Sequence, residues 1–190
     1  MVAGQPCNLW SDDMTSYVVA LEKDVRDYSI VRSMMGDKPL VIWRGASGAI
    51  NVWLDRCPHR FVRLSAGRNM GGYLEGVYHG WQFEESGKVM LVPAMQGRPA
   101  HDISATVYST AVAGGFVWAS EEECSPSGSA GEPCYPVHIA APVDQVRLHV
   151  DSSVDHLTPW GVDGSMVYPT GDPAQRRAEL SAIRRRLEES

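Results

Sequence analysis

The chain has 190 residues, of which 44% are hydrophobic, so it can bury one sizeable core and a small second unit but is too short for most two-domain oxidoreductases. Its formal net charge of −6 offers no basic surface for a phosphate backbone, so we expect small-molecule or protein partners and no nucleic acid. No apolar run approaches the roughly 20 residues of a membrane helix, and the stretch from Met1 to Asp13 lacks the apolar run of a secretion signal, so we expect a cytoplasmic protein without membrane attachment.

Residues 28–120 alternate between short apolar runs and turn residues, a pattern typical of antiparallel strands. The pattern predicts three hairpins: 39–44 with 49–54, 81–83 with 89–92, and 106–108 with 116–118. The first turn, at 45–48, contains glycines that can take positive φ, and the third contains Gly114 and Gly115. Pro93 ends the second hairpin because proline has no N–H to donate. The sequence therefore predicts a mainly β protein, a small antiparallel β-sandwich with little helix.

The last third of the chain predicts a linker and a short extension that ends in an α-helix. Residues 121–136 are rich in Glu, Ser, Gly and Pro, which is typical of a linker or long loop. Asp172, Pro173 and Gln175 are typical of a helix start, with a cap, a proline in the first turn and a capping-box residue. Three apolar residues share one face of this helix: Leu180, Ile183 and Leu187. We interpret it as an ordinary surface helix in preference to a membrane or partner helix.

Two clusters of candidate metal ligands stand in loops at strand ends. The first contains Cys57 and His59, and the second contains His79. Such loops can meet at the tip of a small sheet, and a mixture of thiolate and imidazole ligands suits a binuclear iron centre. Thiolates neutralise one iron, while neutral imidazoles on the other iron leave the cluster as a whole less negative, which raises its reduction potential above that of an all-cysteine cluster.

The residues around both clusters resemble the Rieske [2Fe-2S] domain of Rieske non-haem iron oxygenases, the ring-hydroxylating and demethylating enzymes. The matching segments stand in the family's order and spacing: 36–44, 55–60, 64–67, 74–83, Pro93 and 115–118. The resemblance covers roughly residues 15–120. It implies a Rieske-type domain over 1–120, a linker or loop over 121–136, and the opening of a catalytic-type domain with a C-terminal helix over 137–190.

The resemblance implies a [2Fe-2S] cluster, with Cys57, His59 and His79 as three of its four protein ligands. The fourth, a cysteine three residues before the last histidine, falls on Gly76. Sixteen residues separate His59 from Gly76, which is within the family's usual range. Glycine has no side chain to bind iron, so we expect the cluster to be absent or incomplete in this chain.

Few residues are candidates to replace the missing thiolate. Glu75 is expected to point to the opposite face of its strand, and Tyr78 is a poor substitute for a thiolate. Cys124 and Cys134 lie in the predicted linker and stay open as alternatives, although ordering such a loop costs entropy. The four cysteines, Cys7 among them, lack framework spacing, so their expected default state is a free thiol.

The resembled oxygenases also have a second domain with a mononuclear iron held by two histidines and a carboxylate, and this chain is too short to hold a complete one. Residues 154–165 are similar to the family stretch with an aspartate and two histidines, and the three places here hold Asp155, Thr158 and Asp163. So short a match also arises by chance, so both interpretations stay open. We expect no complete mononuclear iron site. Four further histidines are not assigned to metal: His101, His138, His149 and His156.

The resemblance implies an oxidoreductase component that relays electrons from a reductase or ferredoxin towards a mononuclear-iron site, with oxygenase subunits as further partners. We expect Gly76 to impair this role and predict no catalytic residue, which leaves open whether the chain is an enzyme. The alternative is a cluster-free accessory protein, a pseudo-oxygenase subunit that acts as a protein-interaction module. The resembled enzymes are often trimeric, so a homo- or hetero-oligomer is also open.

Overall fold

The computed structural model describes residues 16–99, 101–126, 131–151 and 155–189. Cys7 and the N-terminal stretch examined for a secretion signal lie outside these residues. In chain order the strands are β1 Tyr17–Leu21, β2 Ile30–Met35, β3 Lys38–Arg44, β4 Ile50–Leu54, β5 Arg68–Asn69, β6 Tyr73–Glu75, β7 Gln82–Glu84, β8 Val89–Leu91, β9 Ser109–Ala113, β10 Phe116–Ser120, β11 Val137–Ile139, β12 Asp155–Pro159 and β13 Ser165–Pro169. The helices are α1 Val143–Arg147 and α2 Pro173–Glu188.

The strands form four antiparallel sheets, which confirms the predicted mainly β fold with a C-terminal helix. The strand orders are β1-β10-β9, β2-β3-β4, β5-β6-β7-β8 and β11-β13-β12. Neither of the two helices in the described part of the chain has the length and apolar character needed to cross a bilayer.

The central sheet, β2-β3-β4, is covered on both faces. Along β3, Leu40 and Ile42 pack into a core shared with the β1-β10-β9 sheet. The alternate residues, Val41 and Trp43, pack into a second core with the β5-β6-β7-β8 sheet. Successive side chains of a strand point to opposite faces, so a strand covered on both sides has a continuous apolar sequence. The continuous apolar sequence of β3 is therefore explained by its position between the two cores.

The β5-β6-β7-β8 sheet carries the loops with the candidate ligands. Leu74 in β6 pairs with Phe83 in β7, and both side chains are fully buried in the second core. The connection between β6 and β7 holds Gly76 and His79, while Cys57 and His59 follow the end of β4. Both loops thus leave strands that contribute to one core, and this packing sets their positions relative to each other.

The C-terminal unit packs α2 against β11 and the β12–β13 hairpin. Leu180 of α2 is fully buried in its core beside Leu157 and Val167. The predicted helix start is confirmed, because the Asp172 carboxylate accepts a 2.8 Å hydrogen bond from the Gln175 N–H. The capping box is not completed, since the Gln175 side chain donates to Glu179 instead.

The predicted hairpins agree with the structure except for the start of the third. The first two correspond to β3–β4 and β7–β8. In the third, β10 pairs with β9, Phe116 opposite Ala113, so the first strand begins at Ser109 rather than at residue 106. Residues 106–108 instead bond to β4, where the Leu54 N–H donates to the Thr106 carbonyl at 2.9 Å. The local pattern could not separate these two adjacent pairings.

Candidate metal centre

The first loop is a tight turn that buries Cys57. The Cys57 N–H donates to the Val62 carbonyl at 2.8 Å, and the Phe61 N–H donates back to the Cys57 carbonyl at 2.9 Å. Phe61 closes the turn with φ of 59°, a left-handed conformation that is uncommon for a bulky residue. The thiol packs into the second core, in the same cluster as Trp81.

The carboxylate of Asp55 anchors this loop. Asp55 is buried, and its two oxygens accept bonds of 2.6 Å each from the backbone N–H and the hydroxyl of Ser65. Short bonds to an ionised acceptor are among the stronger hydrogen bonds in proteins. The Asp55–Ser65 pair therefore ties the backbone just before Cys57 to the short 3-10 turn Leu64–Ala66.

The second loop is a hairpin connection that turns through two consecutive left-handed residues. The Gly76 N–H donates to the Trp81 carbonyl at 2.8 Å and closes the loop at its base. His79 has φ of 68° and Gly80 has φ of 63°. A left-handed histidine costs conformational energy unless its surroundings impose it, so the packing around this loop determines where the His79 ring lies.

The two predicted histidine ligands meet at the tip. The Nδ1 atoms of His59 and His79 are 3.2 Å apart, and their ring centroids are 4.9 Å apart. His59 also stacks on the Trp81 indole, with ring centroids 4.5 Å apart and planes 6° from parallel. Partial desolvation lowers the pKa of His59, and the neighbouring His79 and Arg60 lower it further. The neutral imidazole, which is the metal-binding form, is thereby favoured.

Gly76 is buried and has room for a larger side chain. A Cβ added there meets the Trp81 carbonyl oxygen at 3.6 Å and the Phe83 ring at 4.0 Å, both ordinary contact distances. Its φ lies outside the left-handed region, so the backbone does not require glycine. The structure would therefore accommodate a side chain at position 76, and neither the backbone nor the available space requires glycine there.

The described residues fit one half of a binuclear thiolate–imidazole cluster. The histidine pair supplies two neighbouring imidazole nitrogens, whereas Cys57 is the one thiol predicted for the other iron and Gly76 supplies none. Among the residues described, no group of three or more His, Cys, Asp or Glu side chains is placed to hold a metal ion. The four-ligand set that such a cluster requires is incomplete.

Three of the four candidate replacement donors make contacts away from the missing ligand position, and the fourth, Tyr78, lies at the histidine pair. Glu75 accepts a 3.2 Å bond from the Gln82 amide, and the Cys134 thiol donates to the Gly171 carbonyl at 3.2 Å near the start of α2. Cys124 packs against the cluster that contains Trp118, which is distinct from the core around Cys57. Tyr78 lies against the His79 ring, with centroids 3.8 Å apart. The three described cysteines are free thiols, as expected.

The residues compared with a mononuclear iron site stabilise the C-terminal unit. The buried Asp155 carboxylate forms an ion pair with Arg176 of α2 and accepts a 3.0 Å bond from the Asp151 N–H. The Thr158 hydroxyl donates to the Val18 carbonyl at 2.6 Å, while Asp163 is exposed in a turn. Of this segment, residue 154 lies outside the described part of the chain. Asp155 and Thr158 thus have structural roles, through an ion pair and hydrogen bonds within the fold.

Trp81 and Ser65 are contributors that sequence reasoning did not assign. Trp81 supports the ring of His59, and Ser65 binds the carboxylate of Asp55. The role of Trp81 has a local signal in the sequence, because this aromatic residue lies two positions after His79 and directly before β7. The Asp55–Ser65 contact joins residues ten positions apart through a turn, and no short motif encodes it.

The fold and tip define a small antiparallel β protein with a paired-histidine site on two loops. The family model described as the Rieske [2Fe-2S] domain matches residues 15–109, half of the chain. The chain therefore belongs to the Rieske [2Fe-2S] domain family, which confirms the predicted family, and the match covers residues 15–109 of the roughly 15–120 expected. Membership in this family supports an electron-transfer role.

Two relatives and one solved structure define the extent of the similarity. Oxidoreductase NdmD from Pseudomonas putida is 29% identical over 140 residues, which cover 73% of this chain and 23% of that protein. The phthalate 4,5-dioxygenase oxygenase subunit from Pseudomonas putida is 36% identical over 95 residues, which cover 49% of this chain and 22% of that protein. The chain thus spans less than a quarter of the length of these relatives. The crystal structure of dicamba monooxygenase matches with a TM-score of 0.67 at 17% identity, covering 80% of this chain and 74% of that one, which supports the fold.

Proposed function

We propose that this chain is a Rieske-type component of the aromatic-ring-hydroxylating oxygenase lineage, impaired in electron transfer because Gly76 replaces a cluster cysteine. The lineage role is delivery of electrons towards a mononuclear-iron oxygenase site. Family membership and the paired histidines support the lineage, and Gly76 is the observation that supports the impairment. A [2Fe-2S] cluster with two thiolates and two imidazoles supplies one-electron transfer when bound, and the residues present do not complete that ligand set.

A single substitution tests this proposal. Gly76→Cys restores the fourth ligand at a position where the Cβ fits, and Gly76→Ala fills the same space without a thiol. After anaerobic reconstitution with iron and sulfide, we expect Rieske-type visible absorption and a reduced-state EPR signal from the cysteine variant alone. A redox titration of that variant should give a potential above that of an all-cysteine cluster. The proposed impairment is wrong if wild type and Gly76→Ala give the same Rieske-type absorption and EPR signal as Gly76→Cys.

A cluster-free accessory subunit is the second candidate function. This candidate is supported by an apolar surface beside the histidine pair, where Phe61, Val77 and Tyr78 are 69%, 59% and 51% exposed. Exposed apolar residues grouped at one site are typical of a protein-interaction surface. If the wild-type chain keeps its melting temperature after exhaustive chelation, this function is supported. Unfolding on metal removal contradicts it, because a structural metal then contributes folding energy.

The wider assignments belong to the same proposal. They comprise the division into 1–120, 121–136 and 137–190, a cytoplasmic location, and a reductase or ferredoxin and oxygenase subunits as partners. The described residues of 121–136 bond to both flanking units, since the Ser125 N–H donates to the Ser16 hydroxyl and the Cys134 N–H to the Pro169 carbonyl. Limited proteolysis tests the division by the position of the first cut, and light scattering measures the oligomeric state.

A further inference from the structure

The histidine pair has the spacing of two ligands on one metal ion. Two imidazole nitrogens on a tetrahedral ion lie about 3.4 Å apart when each metal–nitrogen bond is roughly 2.1 Å. The Nδ1 atoms of His59 and His79 are 3.2 Å apart. Small rotations of the rings therefore suffice to place both nitrogens on one ion.

This arrangement is held by the fold and not by the histidines alone. The indole of Trp81 supports the His59 ring from one side. On the other loop, the left-handed φ values of His79 and Gly80 turn the histidine towards its partner. A ligand pair that is already oriented loses less conformational freedom on binding, and this raises affinity.

For a second iron, the two loops offer one predicted thiolate at most, that of Cys57. Gly76 has no side chain, and Cys57 is buried, with 6% exposure, in the core. Since no three-ligand group occurs among the described residues, the histidines stand as a two-ligand site with the remaining positions open to water. Neutral imidazoles suit zinc, copper and nickel ions.

The geometry points to a site for one divalent transition-metal ion on His59 and His79, completed by water, in place of a diiron cluster. This inference rests on the proposed loss of the cluster ligand at Gly76. The metal ion in this site would be bound by the two loop histidines and water, without sulfide or cysteine. Nothing in the site requires the ion to change its oxidation state.

Titration of the full chain, stripped of metal and free of any histidine tag, with Zn²⁺ in a calorimeter tests the site. We expect one Zn²⁺ per chain and an affinity that falls about tenfold or more in His59→Gln and in His79→Asn. Asparagine suits position 79 because it tolerates the left-handed backbone. The matched control is His101→Gln, at an exposed histidine outside both loops, and it should bind like wild type. Equal binding by the double variant His59→Gln/His79→Asn, with an unchanged melting temperature, overturns the inference.

Absorption spectra with Co²⁺ identify the donors. A two-histidine site gives cobalt bands without a thiolate charge-transfer band, and the spectrum should not change in Cys57→Ser. A thiolate band that disappears in Cys57→Ser contradicts the two-histidine assignment. Assembly of a Rieske cluster by the wild-type chain overturns this inference and the proposed impairment, but leaves the electron-transfer lineage intact. Absence of Zn²⁺ binding, with cluster uptake by Gly76→Cys, overturns this inference alone.

Discussion

The imidazole of His59 lies flat against the indole of Trp81, with ring centroids 4.5 Å apart. Trp81 is buried and also contributes to the second core, so it links the histidine pair to the fold. We expect Trp81→Leu to lower the free energy of unfolding by about 2–3 kcal/mol, since part of a large buried side chain is lost. Urea denaturation measures the change. Val162→Ala, at an apolar residue that is 86% exposed, is the control and should change stability by less than about 0.5 kcal/mol.

Removal of the Asp55 carboxylate should loosen the first loop. Asp55→Ala leaves the N–H and hydroxyl of Ser65 without their acceptors, and we expect a loss of about 2–3 kcal/mol in the free energy of unfolding. Asp102→Ala, at an exposed aspartate, serves as the control. A loss no larger than that of the control would show that the Asp55–Ser65 bonds do not anchor the loop.

The ion pair between Asp155 and Arg176 joins β12 to α2. Asp155 is 1% exposed, so Arg176→Ala leaves a buried carboxylate without its cation. We expect the free energy of unfolding to fall by about 3 kcal/mol, measured by urea denaturation at neutral pH. Arg185→Ala, on the exposed face of the same helix, should change it by less than about 0.5 kcal/mol. Equal effects of the two substitutions would argue against the role given to this pair.

The free energy of unfolding should decrease as the pH is lowered from neutral, because of His156. This histidine packs edge-on against Phe116 and Trp118, and burial lowers its pKa from 6.5 to about 4. Because the unfolded chain binds the proton first as the pH falls, the contribution is complete above about pH 7 and is lost between about pH 6.5 and 4. We expect a loss of about 1–2 kcal/mol between pH 7 and pH 5.

The variant His156→Gln isolates this effect, since it removes one ionisable group and leaves the others in place. Its free energy of unfolding should fall less steeply between pH 7 and pH 5 than that of wild type. Identical pH dependence in the two proteins would show that His156 is not held neutral by the fold.

Features encoded over a few residues were predictable from sequence. The β3–β4 hairpin follows from two apolar runs around a glycine turn, and the start of α2 follows from the Asp172 cap. The meeting of His59 with His79 was expected from the position of both loops at strand ends, and the resemblance supplied their role as ligands. The hairpin and the helix start each depend on a short motif whose physical role is the same in any fold.

Features set by distant residues were not predictable. The β1–β10 pairing joins residues about one hundred positions apart, and the Arg176–Asp155 ion pair joins a helix to a strand. Residues 106–108 look like the strand that follows them, and only the position of β4 decides where they pair. Such contacts depend on the assembled core, which local patterns do not specify.

The most direct test of the central claim is the iron and acid-labile sulfide content per chain after anaerobic reconstitution, compared between wild type and Gly76→Cys. We predict two irons and two sulfides per chain in Gly76→Cys and no stoichiometric sulfide in wild type, because Gly76 leaves the cluster one thiolate short. Two irons and two sulfides in the wild-type chain would contradict the account.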